Sequence, residues 1–130
     1  MPLTFGLTNN IKNDYSKISV VFEYILSNFL LQHKKHFSIN IDLLLNLDPY
    51  EVTNFAYAEE IDEFLNLSES IIKEFQDNDF SHLIKSYVIK YELFEEDKFA
   101  QTDIIDFAIY LKSLCELALQ YGKVLVVTGD

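Results

Sequence analysis

A long apolar segment near the end of the chain, residues 102–121, constrains the fold more than any other part of the sequence. Its apolar side chains recur at helical spacing, and its few polar positions leave most of the helix circumference apolar. Because such a helix must be covered on nearly all sides, we expect it at the centre of the fold. Gly122 follows directly and can adopt the left-handed conformation that ends many helices.

The residues after this glycine, 124–128, read Val-Leu-Val-Val-Thr and predict a buried strand. A single strand cannot pair its own backbone N–H and C=O groups, so it requires a partner strand. Three segments are candidates for that partner, namely residues 3–7, 37–43 and 87–94. The sequence therefore predicts a minimal sheet attached to a helical domain.

Helical spacing of apolar residues also recurs further upstream. Residues 14–33 and residues 80–94 each predict a helix. Between them, Asp48-Pro49-Tyr50-Glu51 has the spacing of a capping box with proline at the first helical position. We expect a helix to start there and to continue to Phe75, with a break near residues 53–58 left open.

Two segments fit either kind of secondary structure. Residues 37–47 alternate apolar and polar side chains as a strand does, but Ile41, Leu44 and Leu45 also fit a short helix. We favour the helix, because a strand at this position would lack a hairpin partner. Residues 87–94 are rich in side chains typical of strands, so a strand remains an alternative there.

The chain has 130 residues, the length of one domain, and its hydrophobic content of 49% is enough to form a core. We predict a single acidic globular domain over residues 1–130. The predicted fold class is mainly α, with α+β as the alternative: about four to five helices and a short C-terminal strand in a minimal sheet. The single cysteine excludes an internal disulfide and no secretory signal is recognisable, so we expect a cytoplasmic protein.

The formal net charge of −11 is concentrated in the middle of the sequence. Residues 48–106 hold sixteen of the twenty-one acidic residues and four of the ten lysines, which gives this segment −12 and leaves the rest close to neutral. Such a surface repels nucleic acid and anionic lipid and attracts basic proteins. Every basic residue is lysine, and the absence of arginine disfavours bidentate binding of phosphate or carboxylate ligands.

Two acidic clusters contribute much of this charge, and we predict that they bind the partner. The 59–63 cluster consists of Glu59, Glu60, Asp62 and Glu63, and the 92–97 cluster consists of Glu92, Glu95, Glu96 and Asp97. If the two elements that carry them are antiparallel neighbours, the clusters merge into one face. The simpler interpretation, a solvated surface, stays open because it explains most charge runs.

The motifs that would indicate catalysis or metal binding are weak or missing. Cys115 lies on the apolar last helix, where a cysteine is typically a core residue and not a nucleophile. His33 and His36 have no further ligand nearby, whereas zinc needs three or four. Residues 77–81 imitate the first ligands of a calcium-binding loop, but His82 stands where that loop requires glycine. We predict no catalytic residue, no metal site and no cofactor.

Asp103 and Asp106 are the best candidates for an acid/base pair, because little else on the last helix is polar. A catalytic pair would have to lie in an apolar cleft that separates the two pKa values. Stabilisation of the helix N-terminus explains Asp103 more simply.

These observations favour a binding protein over an enzyme. We expect a small acidic inhibitor, a bacterial immunity protein or antitoxin that neutralises a basic, nuclease-type toxin by direct binding. The alternative is a phage-type or DNA-mimic inhibitor of a nucleic-acid-binding protein, and a carboxylate-dependent enzyme ranks below both. The expected partner is a basic protein, without direct binding to nucleic acid or membrane. The sequence leaves the identity of the partner and the oligomeric state open.

Overall fold

The fold is taken from a computed structural model that describes residues 2–8 and 15–129, without the side chains of residues 15–18. Over these residues the chain forms four strands, five α-helices and two 3-10 turns. In chain order they are β1 (Leu3–Thr8), β2 (Tyr15–Phe22), α1 (Tyr24–His33), a 3-10 turn (Lys34–His36), α2 (Asp42–Leu45), β3 (Thr53–Phe55), α3 (Ala58–Asp77), α4 (Ser81–Lys90), a 3-10 turn (Glu95–Asp97), α5 (Gln101–Tyr121) and β4 (Val124–Gly129).

The strands form one antiparallel sheet in the order β2-β1-β4-β3. β1 and β4 pair along their whole length, with Leu3 opposite Gly129 and Thr8 opposite Val124. On its other side β1 pairs with β2, where Leu3 lies opposite Phe22. The short β3 pairs with β4. Within the described residues, β2 and β3 are therefore the two edges of the sheet.

Helices α3 and α5 pack against each other and cover one face of the sheet. Successive side chains of a strand point to opposite faces, so alternate residues of β1 and β2 point towards these helices. The ring of Phe5 contacts Phe64 of α3 and Phe107 of α5, each at 6.1 Å between ring centroids. The ring of Phe22 stacks on Phe107 at 4.5 Å. The core therefore lies between the sheet and the helix pair.

The core extends beyond the sheet to α1 and α4. Phe29 of α1 is fully buried and contacts the rings of Phe37, Tyr87 and Phe99. The side-chain amide of Asn28 donates a hydrogen bond of 2.7 Å to the hydroxyl of Tyr87. Aromatic packing and this hydrogen bond hold α1 against α4.

The sheet corrects the predicted fold class. A single short C-terminal strand in a minimal sheet was expected, but four strands form a substantial antiparallel sheet beside five helices. The mainly helical character and the number of helices agree with the prediction. The largest error concerns residues 15–22, which form β2 and not the first half of a helix. The predicted helix start at residue 14 lies outside the described residues.

The prediction of a helix that starts at Asp48 is also wrong for the residues before Ala58. Asp48 organises a turn, in which the backbone N–H of Tyr50 donates to Asp48 Oδ1 at 2.8 Å. The chain then pairs with β4 as β3, and α3 begins only at Ala58. The backbone N–H of Tyr57 donates to Glu60 Oε1 at 3.3 Å at the start of this helix. Asp48 thus serves as a turn residue, a role that aspartate fills as readily as helix capping.

Other predictions are confirmed. The long apolar segment forms α5, and Gly122 after it has a left-handed backbone with φ of 60°. The strand β4 pairs with residues 3–7, which are one of its three candidate partners. The short helix favoured within residues 37–47 is α2. Residues 87–94 continue α4 into a turn, so the alternative strand does not form.

Candidate functional site

An open groove of about 680 Å³ lies between β2, the start of α1, the second 3-10 turn and the first half of α5. We call it the acidic groove, because carboxylates dominate the charged side chains that line it. Among the described side chains of the lining, they are Glu23, Glu96, Asp97, Asp103 and Asp106, with Lys98 as the single basic residue. Phe107, which lines the groove, stacks on Phe22 of β2 and so holds α5 against this strand.

The lysine of the acidic groove does not neutralise these carboxylates. Lys98 Nζ lies 2.8 Å from Glu95 Oε2, which belongs to the 3-10 turn but not to the groove lining. The hydrogen bond and the charge of Lys98 hold the pKa of Glu95 below its usual value. Within the described part of the chain the other ion pair joins Lys34 and Asp42, away from the groove. Among the side chains that the structure describes, the groove therefore carries an excess of negative charge.

Asp103 and Asp106 have different local roles. The backbone N–H of Ala100 donates to Asp103 Oδ2 at 2.7 Å, so Asp103 caps the N-terminus of α5. Asp106 lies one turn further along and is exposed. The capping explanation of Asp103 is confirmed, and Asp106 is the carboxylate of this pair that is available to a ligand.

Apolar side chains are exposed beside the carboxylates. Val21 of β2 is 42% exposed and Tyr110 of α5 is 61% exposed. A tyrosine and an aliphatic side chain next to charged groups are typical of a protein-binding surface, in which apolar anchors supply binding energy and charges supply specificity. This combination makes the acidic groove suited to a protein partner.

Two members of the predicted 92–97 cluster, Glu96 and Asp97, line the acidic groove. Glu95 is paired with Lys98, and Glu92 lies at the end of α4 with a positive φ of 50°. The cluster is therefore divided between the groove and its surroundings.

The 59–63 cluster lies on the first turns of α3, where Glu60 participates in capping and the other three side chains are exposed. The side-chain amide of Gln101 donates to the backbone oxygens of Phe75 and Asn78, so α5 starts where α3 ends. The two helices are antiparallel, and the 20 residues of α3 span about 30 Å. The 59–63 cluster is therefore at the opposite end of the helix pair from the start of α5 and its capping residue Asp103. The sequence left open whether the two clusters form one face, and the structure places the 59–63 cluster away from the groove that Glu96 and Asp97 line.

Three groove residues were not assigned to a binding site from the sequence. The sequence pattern places Glu23 inside a helix over residues 14–33, but the chain forms β2 before this residue and α1 after it, and the pattern presents Asp106 only as a member of an acid/base pair. Val21 fits an apolar pattern in the sequence, which indicates a core position and not a binding site. What brings them together is the packing of β2 against α5, which local charge patterns do not indicate.

The other residues considered for catalysis or metal binding lie in three separate places. Cys115 is fully buried, and burial raises the pKa of its thiol to about 12. The rings of His33 and His36 are 5.8 Å apart. Among the described residues, no three histidine, cysteine, aspartate or glutamate side chains are grouped to hold a metal ion. Asp79 accepts a hydrogen bond from the backbone N–H of Ser81 at 2.9 Å, which occupies it in a turn.

Comparison with known proteins does not assign the chain to a family. No protein-family model, no curated protein and no solved structure matches it. Among the described residues, no helix combines the length and the apolar character needed to cross a membrane. The acidic groove is therefore the feature of the molecule that bears on its function.

Proposed function

We propose that this protein is a small acidic inhibitor that binds a basic protein partner through the acidic groove. The specific role proposed is that of a bacterial immunity protein or antitoxin that acts in the cytoplasm on a nuclease-type toxin. The observation that carries the proposal is the lining of the groove: five carboxylates, a lysine whose charge is directed to Glu95, and the exposed Val21 and Tyr110.

A nuclease uses lysine and arginine side chains in its cleft to bind phosphate groups. An inhibitor that presents carboxylates at the same positions occupies these side chains and excludes the nucleic acid. Opposite charges also steer the two proteins together and raise the association rate, an effect that salt weakens. The regional charge of residues 48–106 extends this attraction beyond the groove.

The carboxylates of the 59–63 cluster attract the basic partner at long range. These carboxylates lie on a helix surface near the far end of the α3–α5 pair, and one of them, Glu63, borders a separate depression of about 400 Å³. We expect this cluster to affect the association rate more than the lifetime of the complex.

The proposal is tested in two steps, first by a pull-down with salt elution that identifies the partner. Binding of the purified partner is then measured by surface plasmon resonance for two charge-matched triple variants, E96K/D97K/D106K in the groove and E59K/D62K/E63K on α3. We expect the groove variant to bind about 100-fold more weakly, mainly through faster dissociation. The α3 variant changes the association rate and its salt dependence.

Two outcomes contradict this proposal. If the groove variant binds as tightly as the unmodified protein, the acidic groove is not the binding site. If the captured partner is a DNA-binding regulator without nuclease activity, the protein is an inhibitor of the DNA-mimic kind and not an immunity protein.

A further inference from the structure

The acidic groove runs along the open edge of β2. Ser19, Val20 and Val21 are consecutive in this strand and all three line the groove. Val20 is buried on the helix-facing side of the sheet, whereas Ser19 and Val21 are exposed, so a groove lined by all three lies at the edge of the strand, where the two faces meet. The groove is thus bounded on one side by strand backbone and on the other by the carboxylates of α5 and the second 3-10 turn.

This edge offers backbone groups for pairing. Among the described residues β2 pairs with β1 alone, and every second residue of an antiparallel edge strand directs its N–H and C=O away from the sheet. The opposite edge, β3, is three residues long, whereas β2 has eight residues. β2 is therefore the longer edge at which another strand can be added.

We propose that the partner adds an extended, basic segment to β2 as a fifth strand of the sheet. The inference rests on the proposed function, because it specifies how the basic partner occupies the acidic groove. Backbone hydrogen bonds to β2 hold the added segment, and alternate side chains on its helix-facing side point towards Glu96, Asp97 and Asp106. Lysine or arginine at every second position is the sequence pattern that fits this arrangement.

The charge of the groove argues for a basic partner and against a second copy of this chain. Pairing of two β2 edges would bring two grooves together, each with five carboxylates in its lining, between molecules of net charge −11. Like charges placed opposite each other across an interface destabilise it. The edge is therefore accessible to a positively charged strand and protected against self-association.

The test uses two ten-residue peptides with lysine at every second position and valine or threonine between. One peptide is unmodified and the other is N-methylated at its central six peptide bonds, which removes the backbone donors and keeps the charge. Binding to the full chain is measured by fluorescence anisotropy at 50 mM salt. We expect the N-methylated peptide to bind at least about tenfold more weakly, because each lost hydrogen bond weakens binding about fivefold. Amide hydrogen exchange at alternate residues from Ser19 to Phe22 should slow when the unmodified peptide binds.

The variant E96Q/D97N/D106N separates this inference from the proposed function. If both peptides bind equally well to the protein and both lose affinity for the variant, strand addition is wrong but the acidic groove still binds a basic ligand. If the variant binds both peptides as the unmodified protein does, the groove is not the site and both proposals fail. If neither peptide binds, the strand addition is overturned.

Discussion

The buried carboxylate of Glu74 on α3 accepts hydrogen bonds from both the backbone N–H and the hydroxyl of Ser38, at 2.5 and 2.6 Å. The side-chain amide of Asn78 donates to its other oxygen at 2.8 Å. Glu74 is 7% exposed, and a carboxylate at this depth depends on hydrogen bonds to replace water. These bonds tie the segment between α1 and α2 to the end of α3.

We predict that Glu74→Ala lowers the free energy of unfolding by about 2–4 kcal/mol, because three hydrogen bonds to a charged group are lost. Ser38→Ala removes one of them and lowers it by about 1–2 kcal/mol. Urea unfolding followed by circular dichroism measures both changes, and the double variant gives the coupling between the two residues. Glu69→Ala, an exposed substitution on the same helix, is the control and should change stability by less than about 0.5 kcal/mol. A similar loss for Glu69→Ala and Glu74→Ala would show that these hydrogen bonds contribute nothing.

The parts of the fold that could be predicted are those in which local pattern and tertiary environment agree. The apolar circumference of α5 corresponds to its position against both α3 and the sheet. Gly122 ends this helix because glycine adopts positive φ without a steric penalty. The run that begins at Val124 is fully consistent with a strand, and its partner β1 was among the candidates.

The parts that could not be predicted depend on long-range pairing. Apolar residues 18, 21, 22 and 25 fit helical spacing, yet residues 18–22 are rich in side chains that also suit a strand. The pairing of β2 with β1 and the stacking of Phe22 on Phe107 decide for the strand. The groove has the same origin, because Glu23 and Asp106 are far apart in sequence. Charge density along the chain identified Glu96 and Asp97 but carried no information on the residues that face them.

The C-termini of α4 and α5 have the same geometry with different residues. The N–H of Leu93 donates to Val88 oxygen at 3.2 Å, and the N–H of Lys123 donates to Ala118 oxygen at 2.9 Å. The left-handed residue is Glu92 with φ of 50° in one helix and Gly122 with φ of 60° in the other. Both hydrogen bonds belong to the Schellman motif, in which glycine is the preferred left-handed residue.

We therefore predict opposite effects for the two reciprocal substitutions. Glu92→Gly raises the free energy of unfolding by about 0.5–1 kcal/mol, since a strained non-glycine residue is replaced. Gly122→Ala lowers it by about 1 kcal/mol. A Cβ atom at Gly122 would have nothing within 4 Å, so this loss is conformational and not steric. The urea concentration at the unfolding midpoint measures both changes in stability. If the midpoints of the two variants shift in the same direction, the explanation is contradicted.

The thiol of Cys115 should be unreactive as long as the protein is folded. The residue is fully buried, and burial, followed by the charges of Glu116 and Asp62, raises its pKa to about 12. At pH 8 the thiolate fraction is then on the order of 10³ times smaller than that of a free cysteine, and alkylation slows in proportion. The rate of reaction with iodoacetamide, compared in buffer and in 6 M guanidinium chloride, measures this difference. Rapid modification of the folded protein would contradict the core assignment.

His33 should make the protein less stable in mildly acidic solution. Its ring packs on Phe29, and burial, followed by the charges of His36, Lys90 and Lys35, lowers its pKa below 6.5. The unfolded chain therefore binds the proton at His33 more tightly than the native protein does. The contribution of neutral His33 to the free energy of unfolding is fully present above about pH 6.5 and is lost as the pH falls below this value.

We predict that His33→Gln reduces the loss of stability between pH 7.5 and pH 5.5, measured as the change in thermal unfolding midpoint. His82→Gln is the matched control, because His82 is exposed and its replacement removes a histidine without changing the core. An NMR titration of the His33 imidazole measures its pKa directly, and the midpoint of this titration should lie below 6.5. A midpoint at or above 6.5, or an equal effect of both substitutions, would contradict the burial of His33 as the cause of the pH dependence.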